Sequence, residues 1–213
     1  MDTIDPRTFR PARTNPVRSD APGSVTEMPS PREIHHVHIF SDVKRDEMAE
    51  FYQWLFNGEV TRRNPGGLTF ITYDDHDHRV VIIPKESWGT KPERPVGVSH
   101  LAFAYSSLGE LLFIYKRMKE RRYKPPYTVN HGNSTSFYYE DPDGNTVETM
   151  IDNYTPLETQ GYKRHYQWSE HFGAMNEAEF DADKMLALYE SGVPDTTLID
   201  REEVRQMVSE GRL

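Results

Sequence analysis

The sequence of 213 residues contains no cysteine. Disulfides, iron–sulfur clusters, thiolate-bound zinc and cysteine nucleophiles are therefore excluded. No apolar run approaches the roughly 18–20 residues of a membrane span, and the first thirty residues lack the apolar core of a secretory signal. The formal net charge of −9 argues against a nucleic-acid-binding protein, because binding to a polyanion normally needs a basic face. We expect a cytoplasmic protein with no membrane or nucleic-acid partner.

The sequence is rich in histidine, with nine residues in an acidic chain. It is the commonest metal ligand and the side chain that titrates near neutral pH. Composition therefore directs the search for function toward metal or acid–base sites built from histidine.

The two ends of the chain differ from its middle. Residues 1–31 hold six of the fifteen prolines and have no sustained hydrophobic period, which predicts a flexible or surface-hugging arm over 1–32. An arm that wraps a partner subunit is the alternative. After residue 152 the chain becomes polar and aromatic, with helical patterns over Asp183–Glu190 and Arg201–Glu210. We interpret 153–213 as a C-terminal extension.

The middle of the chain, 33–152, contains a doubled pattern. Residues 34–83 and residues 98–151 each predict one strand, one helix and three more strands. Such a doubled unit is a structural repeat even where identity between its copies is weak. The expected fold is α+β, with two βαβββ modules forming a half-open barrel around one cavity. The predicted strands are Ile34–Phe40, Glu59–Arg62, Leu68–Tyr73 and His78–Ile83, then Val98–Ala104, Tyr127–Asn130, Ser134–Glu140 and Thr146–Ile151.

Three residues with metal-binding side chains occupy the first and last strands of the repeated modules. His36 and His100 lie in the first strands of the two modules, and Glu148 lies on the last, otherwise apolar strand. A buried glutamate without a partner is costly, and metal coordination offsets that cost. Two imidazoles and one carboxylate form the facial triad of non-haem Fe(II) oxygenases. Fe(II), Mn(II) and Zn(II) all suit this donor set.

Side-chain alternation in the first strand selects among its histidines. Ile34, His36, His38 and Phe40 share one face, and His35 lies on the other. If His36 faces the cavity, His38 does too and is a candidate pocket residue. His35 is interpreted as structural.

Three segments resemble a known family. They are Ile34-His-His-Val-His-Ile39, Val98-Ser-His-Leu-Ala-Phe103 and Tyr138-Tyr-Glu-Asp-Pro-Asp-Gly-Asn-Thr-Val-Glu148. They resemble the vicinal oxygen chelate superfamily, and within it the single-domain type I extradiol ring-cleaving dioxygenases. The resemblance covers 33–152, and residues 173–192 also resemble the tail of small members.

The resemblance implies further site residues. His78 matches the family's acid–base histidine, although His76 competes with it from the adjoining turn. His131 matches the histidine that binds substrate, with a gap of about two residues in that match, and Tyr138 lies at the family's spacing before Glu148. Asn133, Ser136 and Phe103 are candidate pocket residues.

Each of these residues also has a structural interpretation. His78 could cap a strand beside Asp75 and Asp77, Tyr138 could fill the core, and His131 could be a surface turn residue. The resemblance nevertheless implies an Fe(II) enzyme, with Mn(II) as the alternative. It would cleave the ring of a small aromatic diol with O2, in aromatic catabolism.

Two other functions stay open. A glyoxalase-like isomerase or lyase commonly has a fourth ligand, Glu or Gln, on the fourth strand, and His78–Pro84 contains neither. A metal-free protein that binds a small aromatic molecule is the third possibility. We expect a homodimer or a higher homo-oligomer, because exposed sheet edges of such modules associate.

Overall fold

A computed structural model describes residues 28–31, 33–41, 44–85, 97–166 and 177–213. The chain divides into two compact units, Met1–Ile34 and His35–Leu213. In the first unit, the described residues form neither helix nor strand. Most of the predicted N-terminal arm lies outside the described residues.

The first module has the predicted order of one strand, one helix and three strands. Its elements are β1 (Val37–Ser41), α1 (Arg45–Phe56), β2 (Glu59–Arg63), β3 (Thr69–Thr72) and β4 (Val80–Pro84). In the sheet, β1 runs parallel to β4, the remaining pairs are antiparallel, and the strand order is β1-β4-β3-β2.

The second module repeats the first. Its strands have the order β5-β8-β7-β6, again with the first and last strands parallel. The α+β fold of two βαβββ modules is thereby confirmed, and the two sheets do not close into a barrel. The elements are β5 (His100–Ala104), α2 (Leu108–Glu120), β6 (Tyr127–Asn130), β7 (Ser134–Glu140) and β8 (Thr146–Asp152).

The C-terminal part is largely helical, as expected, and it adds one strand that the sequence did not predict. This short strand pairs antiparallel with β6 and becomes the fifth strand of the second sheet. Among the described helices, none has the length and apolar character needed to cross a membrane. The elements are α3 (Pro156–Tyr166), β9 (Ala178–Glu179), α4 (Ala182–Glu190), α5 (Asp195–Leu198) and α6 (Arg201–Ser209).

Local sequence explains the buried face and the end of α1 and the start of α2. In α1, Met48, Tyr52 and Leu55 recur at helical spacing and are fully buried. The helix ends at Phe56 because the next residue, Asn57, has a φ of 51°, the left-handed conformation that asparagine tolerates. At the start of α2, the Ser107 hydroxyl accepts a hydrogen bond from the backbone N–H of Glu110.

One hydrophobic core joins the two modules. It contains α1, α2 and the inner face of each sheet, for example Val80 and Ile82 of β4 and Val147 of β8. Because side chains alternate along a strand, the residues between these point to the opposite side. We call these opposite sides the first and second outer faces.

The register assigns residues to the outer faces. On the first sheet, His38 of β1 is beside Val81 of β4, which is beside Phe70 of β3. On the second sheet, Ala102 of β5 is beside Glu148 of β8, which is beside Tyr138 of β7. The outer faces thus carry the candidate site residues His38, Glu148 and Tyr138, and the inner faces carry the core.

Candidate metal centre and its hydrogen-bonded network

A group of three histidines lies on the first outer face. The ring centroid of His36 is 4.9 Å from that of His38 and 4.7 Å from that of His78. One nitrogen from each ring lies within 4.8 Å of the others. These residues therefore present imidazole nitrogens to a common space, which is how histidines bind a metal ion.

His36 and His78 precede their strands, whereas the sequence predicted them within strands. β1 begins at Val37, whose N–H donates to the carbonyl of Arg79 at 2.9 Å. The guanidinium of Arg79 donates to the carbonyl of His35 at 2.8 Å, so the backbone there bonds to a side chain and not to a neighbouring strand. This contact fixes the chain immediately before His36.

Arg79 is itself held by Asp74. Its guanidinium lies 2.7 Å from the Asp74 carboxylate. The hydrogen bond from Arg79 lowers the pKa of Asp74 to about 2. Sequence reasoning missed both residues, because an Asp and an Arg five positions apart in a polar turn carry no recognisable signal.

The lowered pKa of His36 favours the neutral ring and therefore metal binding. Its pKa is lowered, first by desolvation and then by the charges of His78, His38 and His35. Neutral imidazole is the form that donates electrons to a metal. His78 has a different partner, because its Nδ1 lies 2.8 Å from an Asp77 carboxylate oxygen.

His100 and Glu148 meet on the second outer face. The Nε2 atom of His100 is 3.1 Å from a carboxylate oxygen of Glu148. Glu148 is only 6% exposed, and a buried carboxylate needs a hydrogen-bonded or charged partner. Parallel pairing of β5 with β8 brings the two side chains together. This part of the predicted ligand set is therefore adjacent.

A chain of polar contacts extends from Glu148. Tyr138 lies beside Glu148 across the pairing of β7 with β8, and its hydroxyl lies 3.1 Å from Nε2 of His131. On the other side of that ring, Nδ1 is 2.8 Å from the carboxylate of Glu177. Burial raises the pKa of the Tyr138 hydroxyl, and the neighbouring Glu148 carboxylate raises it further. Five side chains thus form one polar network from His100 to Glu177.

Glu177 was missed by sequence reasoning. It lies immediately before β9, after residues that the structure does not describe, and no motif marks it. Pairing of β9 with β6 brings it to His131, which lies directly after β6.

The remaining predicted residues are in different places. Ser136 is two residues from Tyr138 on β7 and shares its outer face. Asn133 accepts a backbone hydrogen bond from Asn153 in the loop before β7. Phe103 lies on the inner side, where its ring centroid is 4.3 Å from that of Phe56. His76 contacts Asp74 in the polar turn and is outside the histidine group.

The three predicted metal ligands lie in two separate groups. His36 contacts His35, His38 and His78, whereas His100 contacts Ser99, Glu148 and Tyr138. Among the residues that the structure describes, no hydrogen bond, ion pair or ring contact joins His36 to His100 or Glu148.

A family model described as "Glyoxalase/Bleomycin resistance protein/Dioxygenase superfamily" matches residues 33–149. The chain belongs to this superfamily. The match begins three residues before His36 and ends one residue after Glu148, so it spans both modules and all three predicted ligands.

Two curated relatives of this superfamily member come from Rhodococcus globerulus. Biphenyl-2,3-diol 1,2-dioxygenase 3 is 33% identical over 158 residues, which are 72% of this chain and 80% of the relative. Biphenyl-2,3-diol 1,2-dioxygenase 2 is 36% identical over 129 residues, or 59% of this chain and 67% of the relative.

Among solved structures, lactoylglutathione lyase from Agrobacterium tumefaciens matches with a TM-score of 0.46 and 23% identity. That match covers 58% of this chain and 96% of the lyase.

Proposed function

We propose that this protein is an Fe(II)-dependent extradiol dioxygenase that opens the ring of a small aromatic diol with O2. The observation that carries the proposal is the polar network in which the His100–Glu148 pair lies beside Tyr138, whose hydroxyl is within hydrogen-bond distance of His131. Relatives named biphenyl-2,3-diol 1,2-dioxygenases support it.

His36, His100 and Glu148 are the proposed ligands. Imidazole nitrogen and carboxylate oxygen without thiolate suit Fe(II), and they also suit Mn(II) as the alternative. The closeness of His100 to a buried carboxylate fits a cation between them, because a metal would neutralise Glu148. Bound iron would gather the diol and O2 at adjacent positions and stabilise developing negative charge.

Tyr138 is proposed to orient the diol. Its raised pKa keeps the phenol protonated at the working pH, so it acts as a hydrogen-bond donor. The single hydroxyl hydrogen can be given to Glu148, to His131 or to a substrate oxygen. Once Glu148 binds a cation, that hydrogen is available to the other two acceptors.

His131 is proposed to accept a proton from the diol. A carboxylate only accepts hydrogen bonds, so the contact with Glu177 requires hydrogen on Nδ1 of His131. In the neutral ring, Nε2 then carries a lone pair and can accept a proton. Glu177 would stabilise the imidazolium that forms, which makes it a positioning residue.

His78 is proposed as the general acid. The Asp77 carboxylate accepts a hydrogen bond from Nδ1 of His78. Nε2 can then hold the proton that one oxygen of O2 must receive before the O–O bond breaks.

The proposal is tested with protein that is purified anaerobically and reconstituted with Fe(II). We expect uptake of one O2 per diol from a panel of catechols, with a new visible absorbance from the ring-opened product. Activity should be lost in His36→Ala and Glu148→Ala and retained in Glu140→Ala, which changes an exposed acid on β7. Stoichiometric metal without O2 uptake on any diol would favour the isomerase or lyase, and the absence of bound metal would favour the aromatic-binding protein.

A further inference from the structure

A group of buried polar side chains lies at one end of the second sheet, on its core side. Asn130 ends β6, Thr135 is its partner on β7, and Asn153 directly follows β8. Asn130 and Thr135 are fully buried, and Thr135 is beside Ile151 of the hydrophobic core. Buried amide and hydroxyl groups destabilise a core unless they are hydrogen bonded. The partners of these groups therefore show what the polar cluster holds in place.

Asn130 holds the peptide bond that follows His131. Its Oδ1 accepts a hydrogen bond from the N–H of Gly132 at 2.7 Å. Its Nδ2 donates to the carbonyl of Ile199 at 2.8 Å, between α5 and α6. Because the N–H of Gly132 belongs to the peptide group that joins it to His131, this contact fixes the backbone that carries the His131 ring.

Asn153 holds the other side of the same turn. Its Nδ2 donates to the carbonyl of Gly132 at 3.0 Å and to Oδ1 of Asn130 at 3.3 Å. Its backbone N–H donates to the carbonyl of Asn133 at 2.9 Å. The Thr135 hydroxyl donates to Oδ1 of Asn153 at 2.8 Å. Since an amide has its acceptor on one side and its donors on the other, the Thr135 contact directs Nδ2 of Asn153 toward the turn.

The turn needs such support because its central residue is glycine. Gly132 has a φ of 93°, which other residues rarely adopt, and a Cβ at this position would overlap the Tyr162 hydroxyl. A glycine backbone has little conformational preference of its own. The hydrogen bonds of the asparagines therefore decide where the His131 ring lies between Tyr138 and Glu177.

We propose that Asn153 and Asn130 are positioning residues for His131. By fixing the backbone of the turn, they keep Nδ1 of the ring on Glu177 and Nε2 at the Tyr138 hydroxyl. The catalytic consequence rests on the proposed function, in which His131 accepts a proton from the diol. Proton transfer needs the two heavy atoms at hydrogen-bond distance, and a displacement of about 1 Å can cost about 100-fold in rate.

The first test observes the ring itself. Nitrogen NMR of the imidazole rings, recorded on the full-length chain without iron, shows which nitrogen carries hydrogen, and His131→Gln identifies the His131 signals. We expect the Nδ1–H tautomer in the wild type and a mixture of tautomers in Asn153→Ala, in which the ring no longer stays on Glu177. The wild-type tautomer in a folded Asn153→Ala, or a mixture already present in the wild type, would overturn the proposal.

A milder series decides the question even if Asn153→Ala does not fold. Thr135→Val removes the hydroxyl that directs Asn153, and Thr135→Ser retains it. We expect the mixture of tautomers in the valine variant and the wild-type signals in the serine variant. Thr149→Val is the matched control, because Thr149 is also fully buried in this sheet and pairs with Phe137, away from the turn. Wild-type signals in Thr135→Val, or the same change in all three variants, would leave the polar cluster with a role in stability alone.

Kinetics then connect the ring to the reaction. In Fe(II)-loaded Asn153→Ala we expect kcat per bound metal to fall by up to about 100-fold, with little change in the KM of the diol, because Tyr138 is retained. A changed tautomer in a protein that opens no diol would reject only the proposed function. Ring cleavage at the wild-type kcat, with the His131 tautomer unchanged, would reject only the positioning role.

Discussion

The hydroxyl of Tyr52 donates a hydrogen bond to the carboxylate of Asp141 at 2.9 Å. Tyr52 is in α1 of the first module, and Asp141 begins the turn between β7 and β8 of the second. The same carboxylate accepts hydrogen bonds from the backbone of Asp143 and from the backbone and side chain of Asn145. The turn between β7 and β8 therefore links the second module to the first.

Removing the Tyr52 hydroxyl should destabilise the protein. In Tyr52→Phe, Asp141 stays buried and loses one donor, which should lower the free energy of unfolding by about 1–3 kcal/mol. Urea unfolding followed by far-UV circular dichroism measures this change. Tyr123→Phe is the control, because that half-buried ring packs on Phe51 from the edge of the same core. Equal losses in the two variants would contradict a specific role for the Tyr52–Asp141 bond.

Glu177→Gln should impair catalysis without loss of metal. The amide cannot stabilise a protonated His131 as a carboxylate does, so the proton acceptor weakens. We expect kcat to fall by about 10- to 100-fold, which is less than the ~10²–10⁴-fold contribution of a general base itself. Steady-state kinetics and metal analysis provide the readouts. Glu179→Gln, on the exposed side of β9, is the matched control, and a kcat like that of the wild type in Glu177→Gln would reject the role of Glu177.

His78→Gln should slow the chemical step. Removing a general acid typically costs about 10²–10⁴ in rate, so kcat should fall in that range while bound metal stays stoichiometric. O2 uptake at saturating diol measures kcat. His76→Gln alters the neighbouring histidine that lies outside the group and should change kcat little. If both variants lose activity equally, His78 is not the acid.

Asp74→Asn should reveal an acid-dependent contribution to stability. The folded pKa of about 2 lies below the ordinary 3.8, so the contribution is complete above about pH 4 and is lost as the pH falls toward 2. Asp74→Asn should therefore be less stable than the wild type at pH 7, with the difference vanishing near pH 2. Unfolding midpoints across this range test the expectation, with Asp75→Asn as the control. A difference independent of pH would refute the Arg79 ion pair as its cause.

The repeat could be predicted because the sequence of each module has strong local patterns of hydrophobic and turn residues. β6 and β7 begin and end where the sequence indicated, since Tyr127–Asn130 and Ser134–Glu140 are bounded by turn residues. The start of β1 was misplaced, because the contact of Arg79 with the His35 carbonyl is a long-range event that no local window contains. β9 was missed for a similar reason: two residues carry too little pattern to predict a strand.

The site was predictable to the extent that it follows repeat positions. His100 and Glu148 are adjacent because β5 pairs with β8, which the doubled pattern implies. The partners Glu177 and Arg79 act through tertiary contacts, so neither spacing nor composition could indicate them. Whether His36 joins the other ligands depends on how whole modules are arranged, which strand alternation does not determine.

The strand β9 gives the tail of the chain a part in the chemistry. A protein ended at residue 176 would keep both βαβββ modules and every proposed ligand, yet it would lose the carboxylate that sets the tautomer of His131. If the proposed ligands hold an ion, the truncated protein would still bind it and would leave the His131 ring without its Glu177 partner. On the proposed function, the last 37 residues are thus as much a part of the proton path as of the scaffold.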